Sequence, residues 1–440
     1  MDRRDNIASL LPPLLKGRIA RGAAGTLGLR VFHAGARFLI ALAFARTLGA
    51  AGFGAYSFAI TWIGVLSVPA ILGFEGLLVR EVAGYQSGER WGLLNGLILR
   101  SRQFALGGSV CTVVAAAVLA WLFEGDLEEQ MATAFSIGLL ALPLVALVRV
   151  TQAALMGLHR VVPAQIPETV IQPCLLAIFF GIALVLPGVG VQAPLVVGLF
   201  GTAMLVALLV STALWHALQP PDIKRAKPEF ATPEWLRSAR TFTLISGIGV
   251  LGPSLGVIML GSMAGAEATG IFGVASSAAA LIALPLLAIN APLAPTISRI
   301  FTEGKREELQ GLATKAARSA LLLSLPVALV FIGLGHWVLL LFGAEFTDGY
   351  GVLVILSLAQ VINAGMGSVG VLLQMTGHER DVARSLAIAV SFNVLANLFL
   401  IPLWGVNGAA VGAAGNLVIW NVLMAVTVHR KLGIRPTAAG

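Results

Sequence analysis

Three arginines, Arg30, Arg37 and Arg149, stand inside apolar runs of this 440-residue chain. A charge at the centre of a hydrocarbon layer costs roughly 2.5 to 3.5 kcal/mol on insertion scales, which makes each of them a candidate for function. Arg30 and Arg37 lie seven residues apart, about 700° of helical rotation, and so share one face two turns apart. Arginine suits a phosphate or pyrophosphate group because its planar fork reaches two oxygens at once and stays protonated. Two acids, Glu75 and Glu168, fall at a similar depth. They are candidates for charge pairing or for coupling transport to an ion. Three arginines against two acids leave one positive charge over, and a water-filled cavity that receives an anion resolves that imbalance.

Little else in the chain suggests chemistry. The six histidines (His33, His159, His216, His336, His378 and His429) show no metal-ligand spacing. No nucleophile has a base beside it, and no carboxylate pair shares a helix face, so the reading is a non-enzyme with no metal and no cofactor. The second half of the chain places amides, among them Asn290, Gln360, Asn363, Asn393, Asn397, Asn416 and Asn421, where the first half places charges. They could line a neutral wall for sugar hydroxyls, or simply bond helix to helix at ~0.6 kcal/mol each. GVNGAAVGAAG at 405–415 has no preceding strand and reads as small-residue packing, not a nucleotide turn.

The elements that must position these residues follow from composition. At 58% hydrophobic and 11% charged, with a mean hydropathy of +0.90, the chain is an all-α polytopic membrane protein and no nucleic-acid binder, despite its net charge of +8. A helix of ~20 apolar residues crosses the bilayer core. Twelve such stretches are predicted near 21–46, 53–79, 103–123, 131–157, 162–186, 193–218, 241–262, 269–298, 319–342, 350–376, 384–403 and 407–429. They are numbered spans 1 to 12. Of 29 lysines and arginines, 25 fall in segments on one side, while Glu124, Asp126, Glu128, Glu129, Glu267, Glu345 and Asp348 mark the other. That asymmetry predicts cytoplasmic termini, with residues 1–20 a cytoplasmic lead-in and not a cleaved signal peptide.

The chain also divides in two. Residues 219–240 form a polar, proline-bearing cytoplasmic linker between a lobe at 21–218 and a lobe at 241–429, with 430–440 a cytoplasmic tail. LGAAGFGAYSFA at 48–59 aligns with AGAEATGIFGVA at 264–275, an offset of 216. GVQ at 190–192 against GVN at 405–407, and MGLHR at 156–160 against MTGHER at 375–380, keep nearly the same offset. Two six-helix repeats of the same topology, with a central cavity between them, are expected.

FARTLGAAGFGAYSFA at 44–59, GFEGLLVREVA at 73–83, LLQMTGHERDVARS at 372–385 and IPLWGVNGAAVGAA at 401–414 resemble the polysaccharide transporter family. That family is the O-antigen and lipid-linked oligosaccharide flippase branch of the multidrug/oligosaccharidyl-lipid/polysaccharide exporter superfamily. The resemblance implies translocation of undecaprenyl-pyrophosphate-linked oligosaccharide to the outer leaflet of a bacterial inner membrane by alternating access. It further implies a polysaccharide polymerase and a chain-length regulator as partners, and a cationic cavity in which Arg30, Arg37 and Arg149 meet the headgroup. Lipid II flippases carry two helices after span 12, so the expected cargo is a polysaccharide unit and not a peptidoglycan precursor. The competing readings are a cation-coupled antiporter of small organic molecules, which an excess of intramembrane positive charge opposes, and a membrane glycan polymerase or ligase, which needs a larger outer loop.

Overall fold

The computed structural model describes residues 18–122, 128–188 and 190–439, with no side-chain detail at 18–24, 27, 291 and 292. Most of the lead-in, together with Glu124 and Asp126, lies outside the described residues. The described chain holds ten helices long and apolar enough to cross a membrane. Two of them, Arg18–Ile71 and Glu379–Leu432, run to 54 residues each and double back on themselves. The first breaks at Gly49, across which the rings of Phe44 and Tyr56 meet 5.0 Å apart. The second breaks at Gly405, and Asp381 near its start pairs with Lys431 near its end at 2.5 Å. A straight helix would hold residues 50 positions apart about 75 Å from each other. Counted by arms, the ten candidate spans of the described residues are compatible with the twelve crossings that hydropathy predicts.

The outer faces of the helices are apolar. Leu140, Val185, Phe399 and Leu403 are all at least 70% exposed, a pattern that hydrocarbon tolerates and water does not. Inside, small residues let helices approach closely, as membrane packing requires without a hydrophobic drive between helices.

The two repeats meet along their equivalent helices. Gly54 in span 2 and Gly270 in span 8 are 216 positions apart, the offset of the sequence repeat, and they face each other. A Cβ built on Gly54 would stand 1.8 Å from the Ala266 carbonyl oxygen, and one on Gly270 would stand 1.9 Å from that of Ala50. Only glycine permits this approach. The turns around His159 and Gly377, which carry the other echo of the repeat, join spans 4 to 5 and 10 to 11.

The linker is more ordered than its composition suggests. A short helix forms at Pro221–Arg225, and span 7 begins at Thr232, running as one helix to Met263. Its first turns pack on the first lobe: Trp235 Nε1 donates to the Tyr85 hydroxyl at 2.9 Å, and Arg80 lies 5.3 Å from the Phe242 ring.

Candidate functional site

Span 1 carries its polar residues on one face, and the structure shows what that face meets. His33, between the two arginines, places Nδ1 3.3 Å from the carbonyl oxygen of Thr169 on span 5. Arg37 lies one turn beyond His33 on the same helix. Both Arg30 and Arg37 are exposed, and neither forms an ion pair among the described residues.

Arg149 is different. Its Nε lies 3.5 Å from Glu168 Oε1, and its Nη1 donates to Ser67 Oγ at 2.9 Å. Ser67 in turn donates to the Gly64 carbonyl at 2.7 Å. One charge is thus neutralised by a partner on span 5 and steadied by a hydroxyl on span 2. Glu168 reaches this position from a π-helical turn, Pro167–Ile171, inserted between helices Val161–Ile166 and Gln172–Val185. The turn follows Pro167, which cannot donate a backbone hydrogen bond, and such bulges recur where a helix must re-aim a functional side chain. Glu75, exposed at the start of helix Phe74–Ser87, lies within electrostatic range of both Arg149 and Glu168 but forms no ion pair among the described residues.

All five charged residues singled out in the sequence belong to the first lobe, on spans 1, 4 and 5 and, for Glu75, on the helix Phe74–Ser87, which the structure separates from span 2 by a break after Ile71. Arg149, Glu168 and Glu75 converge, while Arg30 and Arg37, exposed on span 1, form no ion pair among the described residues. The three arginines and two acids sum to a formal charge of +1. Ser67 and the π-turn are additions made by the structure. Ser67 carries no signal in sequence, whereas PET after a proline-rich run at 163–167 is a legible helix disturbance.

The amides of the second lobe divide. Asn393 Nδ2 donates to the Gly252 carbonyl at 3.1 Å and Asn397 Nδ2 to Asn393 Oδ1 at 3.1 Å. Asn421 Nδ2 reaches Asn363 Oδ1 at 2.9 Å. These four are buried; the bonds from Asn393 and Asn421 cross between helices, and that of Asn397 runs along its own helix to Asn393, so they stitch the lobe together and present no wall to a sugar.

The end of the molecule opposite the basic loops is closed by contacts between lobes. Glu345 Oε1 accepts from the Ala50 N–H at 2.9 Å, where span 2 starts after Gly49. Glu128 Oε1 accepts from the Ala266 N–H at 3.0 Å, where helix Gly265–Ala280 starts. Gly49 and Gly265, with φ of 70° and 84°, open these helices in the left-handed region that glycine enters without strain. Each carboxylate satisfies an unpaired N–H and opposes the positive end of a helix in the other lobe. Arg46 adds a third tie, donating from Nε to the Leu341 carbonyl at 2.5 Å. The sequence marks Glu128 and Glu345 only as acids on the acidic side. Their capping role is foreshadowed by the Gly-Ala pairs at 49–50 and 265–266 in the repeat.

Comparison with known proteins places these features in context. Residues 19–301 match the family described as "Polysaccharide biosynthesis protein". The probable low-salt glycan biosynthesis flippase Agl15 of Haloferax volcanii is 25% identical over 92% of this chain and 83% of its own length. Among solved structures, the inward-facing conformation of a multidrug resistance MATE family transporter superposes with a TM-score of 0.72 at 17% identity, covering 89% of this chain and 94% of that one. The inward closed conformation of the lipid II flippase MurJ superposes with a TM-score of 0.71 at 13% identity, covering 92% of this chain and 87% of that one. These likenesses establish the fold.

Proposed function

Since the chain belongs to the polysaccharide biosynthesis protein family, we propose that it is a flippase that moves a lipid-linked oligosaccharide across the bilayer, with Arg30 and Arg37 receiving the phosphate or pyrophosphate of the carrier. The observation that carries this reading is the contrast within the first lobe. Arg149 has a carboxylate and a hydroxyl, whereas Arg30 and Arg37, seven residues apart on span 1, form no ion pair among the described residues. An anion supplied by the substrate completes them, and the same excess positive charge repels the organic cations that an antiporter would carry.

Alternating access supplies the movement. The lobes touch through glycine backbones and carboxylate caps at the acidic end, and these bonds must break for the polar face to open there. With the basic end taken as cytoplasmic, these contacts lie toward the outer leaflet, which supports entry of substrate from the inner one. The proposed carrier is undecaprenyl pyrophosphate in a bacterial inner membrane, working with a polymerase and a chain-length regulator. The named relative is archaeal, and its carrier need not be the same lipid.

The test is reconstitution of the whole chain in proteoliposomes loaded with a fluorescent polyprenyl-pyrophosphate oligosaccharide, with leaflet exposure read by a membrane-impermeant quencher. Protein-dependent transfer between leaflets is the expected result. No transfer in the presence of a proton or a sodium gradient, with uptake of an organic cation instead, would replace the flippase reading by the antiporter one.

A further inference from the structure

A cavity of about 340 Å³ opens on the first lobe between the basic ends of spans 3 and 6 and the linker helix Pro221–Arg225. None of these elements contributes to the cluster around Arg149. Asn95, Arg102, Trp215, His216, Gln219 and Lys224 line it. Its size lies within the roughly 300–1,000 Å³ range of small-ligand sites.

Three features point to an anion. Arg102 and Lys224 both line the cavity, and neither has a carboxylate partner among the described residues. The Arg102 guanidinium lies 5.9 Å from the ring of buried Trp215, which gives its side chain a platform without neutralising it. Lys224 donates to the His216 carbonyl at 3.4 Å, and Gln219 Nε2 lies 3.0 Å from His216 Nδ1, so the polar rim is tied together by its own bonds.

Two more features point to a lipid. The cavity lies where span 3 emerges at the basic end, the level at which headgroups sit and indoles collect. Leu99 lines its mouth and is exposed, as are Leu106 and Val110, which repeat at seven and four residues along one stripe of span 3. An acyl chain laid on that stripe would bring its phosphate to Arg102.

We infer that this pocket holds the phosphodiester of an anionic membrane phospholipid, the headgroup between Arg102 and Lys224 and an acyl chain along Leu99, Leu106 and Val110. Basic pockets between helices at the cytoplasmic face are suited to such headgroups.

Native mass spectrometry of the delipidated full chain, titrated with phosphatidylglycerol, with phosphatidylcholine and with inorganic phosphate, tests this. One phosphatidylglycerol per chain is expected to bind in preference to phosphatidylcholine. Arg102→Ala and Lys224→Ala should each weaken it by about fivefold, the equivalent of roughly 1 kcal/mol per cation near an anionic lipid. Lys224 is exposed, so its variant keeps the fold, and Arg102→Lys should restore most of the affinity. Equal affinity in wild type and both alanine variants would overturn the assignment. Millimolar phosphate that displaces the lipid leaves it standing, whereas phosphate binding with no phosphatidylglycerol preference would transfer the site to the free ion.

Discussion

Gly54 and Gly270 bring the two lobes together at backbone contact, each standing where a single added methyl would collide with the carbonyl of residue 266 or 50 on the other lobe. The contact joins positions 216 residues apart, the offset of the motif echo in the sequence. Side chains as small as alanine do not fit. The close approach is therefore a condition of closure at the acidic end.

Gly54→Ala and Gly270→Ala are each expected to abolish transport while the protein remains in the membrane, because the lobes are forced apart and not unfolded. Spin labels at the exposed positions Thr47 and Ser262, one on each lobe at that end, report the separation. A longer mean distance in both variants is the expected result, and an unchanged distance would show that the helices absorb the methyl elsewhere.

Glu128→Ala and Glu345→Ala remove reciprocal caps, and a cap is worth ~1 kcal/mol. Each variant should raise the population open at the acidic end by about fivefold on that basis. Because the two bonds are related by the repeat, at 3.0 and 2.9 Å, their effects should be similar in size. The same label pair measures this, and a shift in one variant alone would break the symmetry argument.

Arg30→Gln together with Arg37→Gln should abolish flipping without lowering thermal stability, since neither arginine has an ion-pair partner to lose among the described residues. Stability measured in detergent by scanning fluorimetry separates this from a packing defect. A large drop in melting temperature would make the arginines structural.

Arg149 and Glu168 should behave in the opposite way. Glu168→Gln leaves Arg149 with Ser67 as its only direct partner among the described residues, and Arg149→Gln leaves the acid unpaired, so each single variant destabilises. The double variant should recover ~1–3 kcal/mol of coupling. Additive losses across the cycle would show that the 3.5 Å pair contributes nothing.

Asp381 closes the base of the last hairpin by accepting from Lys431. That bond holds its carboxyl below the ordinary aspartate range. A depressed native value stabilises above the unfolded pKa and is lost as pH falls through the native one, so the contribution should fade below about pH 4. With Lys431 45% exposed, it is worth less than ~1 kcal/mol. Asp381→Asn should flatten the acid limb of a melting-temperature profile.

Hydropathy and the distribution of lysine and arginine were sufficient for the helical membrane class, because transfer of a side chain into hydrocarbon is a property of each residue and its near neighbours. The costly charges Arg30, Arg37, Arg149, Glu75 and Glu168 were legible for the same reason. Which of them pair was not. Arg149 meets Glu168 only because a π-turn re-aims span 5, and Ser67 joins them from a helix more than 80 residues away in sequence. The capping roles of Glu128 and Glu345 depend likewise on how one lobe sits against the other. Sequence determined what each helix must bury and what it must explain; rotation and register between distant helices, decided by close packing, determined which charges are satisfied and which remain for a ligand.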